Sequence, residues 1–173
     1  KDEGKSARDQ SVREALSTLT GLGREDGQCL PVHVRVAGSS GQYFLDLAIP
    51  GDSRVICIEP GRWSICNSPE VKFIRPEAMQ PLPMPIKGGS ISMLWKIANI
   101  PENQRLLVLA WLVECLRPDT PFPLIELMGE QGTAKSTTHA ALRRLIDPNA
   151  CDLRTAPKSA EDVFVGARAS WIV

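Results

Sequence analysis

One ten-residue run constrains the fold of this chain more than any other: Gly129-Glu130-Gln131-Gly132-Thr133-Ala134-Lys135-Ser136-Thr137-Thr138. It follows Leu124-Ile125-Glu126-Leu127-Met128, a mostly apolar stretch of strand length. It precedes Ala140, Ala141, Leu142, Leu145 and Ile146, which recur at helical spacing until Asp147-Pro148. A strand that turns through glycine into a helix aims several backbone N–H groups at one point. The helix N-terminus adds the positive end of its dipole there. Such a turn is an anion cradle. A lysine and a hydroxyl at its exit suit a polyphosphate and the cation that travels with it.

The run resembles the Walker A or P-loop pattern G-x-x-x-x-G-K-[ST], with Ala134 where the second glycine usually stands. The resemblance implies a site for ATP and Mg²⁺ lined by Gly129, Glu130, Gln131, Gly132, Thr133, Ala134, Lys135, Ser136 and Thr137. Lys135 would be the catalytic group, reaching the β- and γ-oxygens. Ser136 would place its hydroxyl on Mg²⁺, and Thr137 would lend a backbone N–H near the α-phosphate. If position 134 needs a positive φ, the alanine Cβ costs on the order of 1 kcal/mol. Gly132 is expected to supply the needed freedom instead.

The rest of the chain divides by pattern. Val12, Ala15, Leu16 and Leu19 make one apolar stripe, predicting a helix from Ser6 to Thr20 that Gly21-Leu22-Gly23 stops. From Pro31 to Arg75 the period is two. Val32, Val34 and Val36 form a first strand and Tyr43 to Ile49 a second, joined by a four-residue loop, Gly38-Ser39-Ser40-Gly41. Arg54–Glu59, Trp63–Cys66 and Val71–Ile74 follow as further strands. His33, Arg35 and Asp46 lie on this module and are weighed as binding residues, against the default of a solvated strand face. Pro76, Pro81, Pro83 and Pro85, then Gly88-Gly89, read as an extended connector. Ser90 is an N-cap for a short helix carrying Ile91, Leu94, Trp95 and Ala98. Pro101 to Arg117 is a second helix, apolar nearly all round and therefore expected to be buried on several sides.

The expected fold class is α/β: a small, mostly antiparallel β module followed by the first part of a P-loop NTPase parallel α/β domain. The expected domains are 1–28 (helix and loop), 29–80 (β module), 81–89 (connector) and 90–173 (P-loop domain).

Hydrophobic residues make up 43% of the chain and charged residues 23%, enough apolar content for a packed core. Twenty basic residues balance twenty acidic ones, which argues against a DNA-coating protein or a polybasic membrane binder. The longest apolar run, Leu106 to Val113, is far short of the ~20 residues that a spanning helix needs, so no membrane partner is expected. Cys29, Cys57, Cys66, Cys115 and Cys151 are widely spaced, and His33 and His139 lie far apart, so no zinc site is expected. An odd cysteine count with no secretion signal fits a reducing, cytoplasmic compartment.

A P-loop enzyme also needs a second strand ending in a carboxylate. Ser159 caps a further predicted helix to about Arg168, and Trp171-Ile172-Val173 reads as the opening of a buried strand. The sequence is expected to stop just before its Walker B acid, since Glu126 and Asp152 are poor substitutes. A chain of this extent would bind nucleotide better than it hydrolyses it. Arg143, Arg144, Arg154 and Arg168 are available arginines, none assigned as a finger.

The run G-E-Q-G-T-A-K-S-T-T, with P-L-P-M-P-I-K-G-G-S upstream and L-I-D-P-N-A downstream, resembles bacterial and phage P-loop ATP-binding proteins of the primase–helicase kind. Y-F-L-D-L, G-R-W-S-I and V-K-F-I-R-P extend the resemblance over Val32 to Val173. It implies a replicative or mobile-element ATPase related to superfamily 3 or AAA-type helicases, self-associating into a ring on DNA. A GTPase fits poorly because N-K-x-D and D-x-x-G are missing. Two alternatives stay open: a P-loop small-molecule kinase, and a non-catalytic nucleotide-binding interaction module.

Overall fold

A computed structural model describes residues 8–67, 69–155 and 157–172. The chain falls into two compact units, Lys1–Pro31 and Val32–Val173. In the first, α1 (Asp9–Glu25) carries Val12, Leu16, Leu19 and Leu22 as an exposed apolar stripe and buries no residue. The helix does not stop at Gly21-Leu22-Gly23, as its glycines suggested. Neither glycine takes a positive φ, so α1 pays only their propensity cost and continues to Glu25. Arg24 in the last turn complements the dipole, and the Asp26 N–H donates to the Leu22 carbonyl. Residues 1–7, which include the expected start at Ser6, lie outside the described residues.

The second unit contains two sheets. β2 (Val36–Ser39), β3 (Gln42–Asp46), β4 (Val55–Glu59) and β5 (Arg62–Cys66) form an antiparallel meander in that order. β1 (Val32–His33) pairs in parallel with β6 (Lys72–Phe73). The β2–β3 hairpin is tighter than the expected four-residue loop. Ser39 pairs with Gln42, leaving only Ser40 and Gly41, at φ +52° and +76°, in the turn. Two consecutive positive φ values give the turn whose twist matches a hairpin. Likewise Glu59 pairs with Arg62 across Pro60-Gly61, where proline sets the first φ and Gly61 takes +76°.

Alternation places side chains on both faces of the meander. Ala37, Phe44, Cys57 and Val71 form one cluster; Val36, Leu45, Leu47 and Leu82 form the other. Leu116 and Trp171 pack onto the second cluster. Leu82, in the proline-rich stretch, also donates its N–H to the Leu47 carbonyl. The next core holds Ala98, Ile100, Val108, Leu112, Cys115, Leu142, Ile146 and Ile172.

The expected Val32–Val36 strand is interrupted. The chain bends at Val34-Arg35, and the bend turns Arg35 fully inward. Neither the binding role nor the solvated face considered for Arg35 and Asp46 holds: both are 0% exposed. The Arg35 Nε donates to Asp147 Oδ1 at 3.0 Å, and its terminal nitrogens donate to the carbonyls of Asp46, Gln80 and Pro148. Asp46 is in turn held by Arg75 through both oxygens, at 2.8 and 2.7 Å. Burial pulls the Arg35 guanidinium below its ordinary range, and the Asp147 carboxylate pulls it back up. His33 is half-buried beside the Phe73 ring, 6.2 Å between centroids.

Ser90 caps a 3-10 turn, Ile91–Lys96, through its side-chain oxygen. A second 3-10 turn, Glu102–Gln104, leads into α2 (Arg105–Glu114). Burial of α2 on several sides is not found. Val108 and Leu112 are buried, whereas Leu106, Leu107 and Val113 are 78%, 66% and 61% exposed. Its neighbours cover one stripe only. α3 (Lys135–Ile146) and α4 (Ala160–Arg168, capped by Ser159) complete the described helices. None of these helices is long and apolar enough to cross a membrane.

Candidate functional site

Chain geometry brings the loop in from an extended approach. Residues 124–128 are not part of any sheet; the expected strand has no ladder partner among the described residues. The segment keeps a strand's alternation all the same. Ile125 and Leu127 pack on the core that holds α3, while Leu124 and Met128 are 100% and 84% exposed. Among the described residues the one parallel pairing is β1–β6, remote in sequence from this segment.

At Gly129 the backbone passes so close to Thr133 that a Cβ would sit 2.8 Å from its Oγ1. Any larger residue there would push the Thr133 side chain out of its place. Gly132 follows at φ +86° and Ala134 at +60°, both left-handed. The expectation that Gly132 would relieve position 134 fails: the turn uses both residues, and the Ala134 Cβ sits where glycine is favoured. Left-handed Ala134 followed by helical Lys135 is the alternation that points successive N–H groups into one concavity.

α3 starts there with no side-chain cap, and its first internal bond is Thr138 N–H to Ala134 carbonyl. The N–H groups of the first turn thus face outward at the positive end of the dipole. Lys135 does not extend into solvent. Its Nζ donates to the carbonyls of Gly129 (2.7 Å) and Glu130 (2.6 Å), folding the ammonium over the loop. Ser136 and Thr137 stand exposed in the first turn. Thr133 braces the loop by donating its hydroxyl to the Glu130 carbonyl at 2.8 Å. Gln131 is exposed at the loop tip.

Asn99 is a residue that sequence reading missed. Its backbone N–H donates to Thr138 Oγ1 and its Nδ2 to the Thr133 carbonyl, both at 3.0 Å. One residue from the segment before α2 therefore fastens both the loop and the first turn of α3. Asn-Ile-Pro before a helix carries no motif, so only tertiary contact could reveal it.

Of the candidate acids, Glu126 is exposed on the approach segment and lines the cavity beside the loop, whereas Asp152 pairs with Arg144. Arg143 is a buried hub that donates to the Asp147 and Asp152 carbonyls and to Ser170 Oγ. Arg154 also reaches Ser170 Oγ, and Arg168 is exposed on α4. Trp171 and Ile172, expected to open a strand, instead donate their N–H groups to Asp147 Oδ2; Val173 lies outside the described residues.

Residues 91–173 match the family model described as actinomycete integrative conjugative element replication protein. This part of the chain, from the Ser90-capped turn through the loop to α4, is thus similar to a replication protein of a mobile element. That description names replication and no nucleotide or motor activity. No curated protein and no solved structure matches the chain.

Proposed function

We propose that this chain binds Mg²⁺·ATP at Gly129–Thr137 and serves mobile-element replication as a helicase-like ATPase or a part of one. The observation that carries the reading is the Lys135 ammonium, folded over a left-handed turn and held only by uncharged oxygens beside an uncapped helix start. Among the described residues no carboxylate neutralises this cation. An anion entering the turn exchanges contacts with neutral carbonyls for contacts in which both partners are charged.

The loop N–H groups and the α3 dipole hold the α- and β-phosphates. Lys135 then swings from the Gly129 and Glu130 carbonyls to the β- and γ-oxygens. Ser136 Oγ, exposed in the first turn, is the residue that would hold Mg²⁺. When bound, that ion neutralises charge on the β- and γ-oxygens. Asn99 occupies the Thr133 carbonyl, so one acceptor of the loop is already satisfied when an anion arrives. DNA and further copies of the chain are the proposed partners of the motor, the copies assembling as a ring.

Titration of Mg²⁺·ATP into the wild type and Lys135→Ala tests the reading. The variant should lose at least about tenfold in affinity, the order expected for a charge-assisted contact of 1.5–3 kcal/mol. Equal affinity in both would remove the loop from the account. ATP turnover stimulated by single-stranded DNA tests the motor.

A further inference from the structure

Beside the loop lies a cavity of about 470 Å³, within the range of small-molecule sites. Gly129, Thr133 and Lys135 line it from the loop. Gln104, Leu107 and Val108 line it from the entry to α2, and Glu126, Leu127 and Met128 from the approach segment. We propose that this cavity is the nucleoside end of the site and takes adenine, with Gln104 reading the base edge; the proposal rests on the nucleotide-binding reading above.

Three observations support it. The cavity is continuous with the phosphate turn, so one molecule with an anionic tail and a flat apolar head fills both. Its walls carry apolar surface that the protein leaves uncovered: Leu107 is 66% and Met128 84% exposed, above a floor of buried Val108. Gln104, Leu107 and Val108 fall at i, i+3 and i+4 along the entry to α2, so a side-chain amide and two aliphatic groups share one face.

The amide selects the base. A glutamine offers one acceptor and a donating NH₂ group, which complement the N6 amino group and N7 of adenine. Guanine presents two acceptors, O6 and N7, on the same edge, and leaves the amide oxygen without a donor. Asn99 also lines the cavity, but its Nδ2 is already engaged by the Thr133 carbonyl. It shapes the wall. Glu126 also lines the cavity, but a carboxylate only accepts and has nothing to give N7, which leaves Gln104 as the side chain that matches both positions.

Equilibrium titration of the full chain with Mg²⁺ and ATP, GTP or inorganic tripolyphosphate separates the two ends. Wild type should bind ATP about tenfold tighter than tripolyphosphate and several-fold tighter than GTP, the scale of one or two net hydrogen bonds with some apolar burial. Gln104→Ala should erase the ATP-over-GTP preference and leave tripolyphosphate within about twofold. Leu107→Asp should weaken ATP more than tripolyphosphate. Tripolyphosphate binding as tight as ATP in the wild type, or an unchanged ATP-to-GTP ratio in Gln104→Ala, overturns the base site while the loop reading survives. Wild type binding none of the three overturns both. Tripolyphosphate binding that ignores Lys135→Ala overturns the loop reading, and the base site with it.

Discussion

Arg35 and Lys135 are both cations held by backbone carbonyls, yet they sit in opposite circumstances. Arg35 is sealed at 0% exposure and neutralised by Asp147, with three carbonyls filling its remaining donors. Lys135 is only part-buried, and its three contacts are two carbonyls and a hydroxyl. A buried charge with a carboxylate partner is committed to the fold, because removing either member strands the other. A charge resting on neutral oxygens remains available to an anion. The contrast separates a cation that shapes the protein from one that acts on a ligand in the function proposed above.

Arg35→Ala should show the largest effect. It removes the cation facing buried Asp147 and one donor from each of three carbonyls, and about 3–5 kcal/mol of unfolding free energy should be lost in urea denaturation. A loss under 1 kcal/mol would break the contrast at its sealed end.

Cys115 marks the same sealed interior at the other core. Burial pushes its thiol up to about 12 from an ordinary 9.0. Because the folded pKa is the higher one, this contribution is fully present below pH 9 and is lost as pH rises from 9 towards 12. The loss should run at about 1.4 kcal/mol per pH unit within that window. Comparing the pH dependence of wild type and Cys115→Ala isolates it: the variant should fall less steeply above pH 9. Parallel curves would show that Cys115 is not sealed.

Ala134→Gly should stabilise the chain by about 0.5–1 kcal/mol, since relief of the left-handed Cβ outweighs the extra freedom of the unfolded glycine. A destabilised variant would mean that the turn does not hold the φ of +60° found here.

Lys135→Ala should change stability least, within about 0.5 kcal/mol, as for a part-buried side chain whose carbonyl and hydroxyl partners stay accessible to water. A cost near that of Arg35→Ala would erase the distinction between the two cations.

The parts of this molecule legible in its sequence are those governed by nearest neighbours. The turn at Pro60-Gly61 follows from its two residues, and α3 from its apolar spacing and the Asp147-Pro148 stop; the β2–β3 turn lies where the sequence places it but is two residues shorter than expected. The loop between Met128 and Lys135 was visible because glycine has few other reasons to recur there. Less visible was whatever depends on distant segments. Arg35 looked like a strand-face arginine because its carboxylate lies 112 residues away. Asn99 acts 34 and 39 residues down the chain. The apolar girth of α2 promised burial, but composition cannot say how many neighbours arrive to provide it.

The Arg35 cluster also bears on the order of folding. Its acceptors lie 11, 45, 112 and 113 residues along the chain, so the last of them assemble only after hairpins and helices have met. Contacts this distant in sequence are expected to form after the rate-limiting barrier, which the folding and unfolding limbs of Arg35→Ala would test. Arg35 thus serves as a latch: weakening it should hasten unfolding far more than it slows refolding, shortening the lifetime of the native chain.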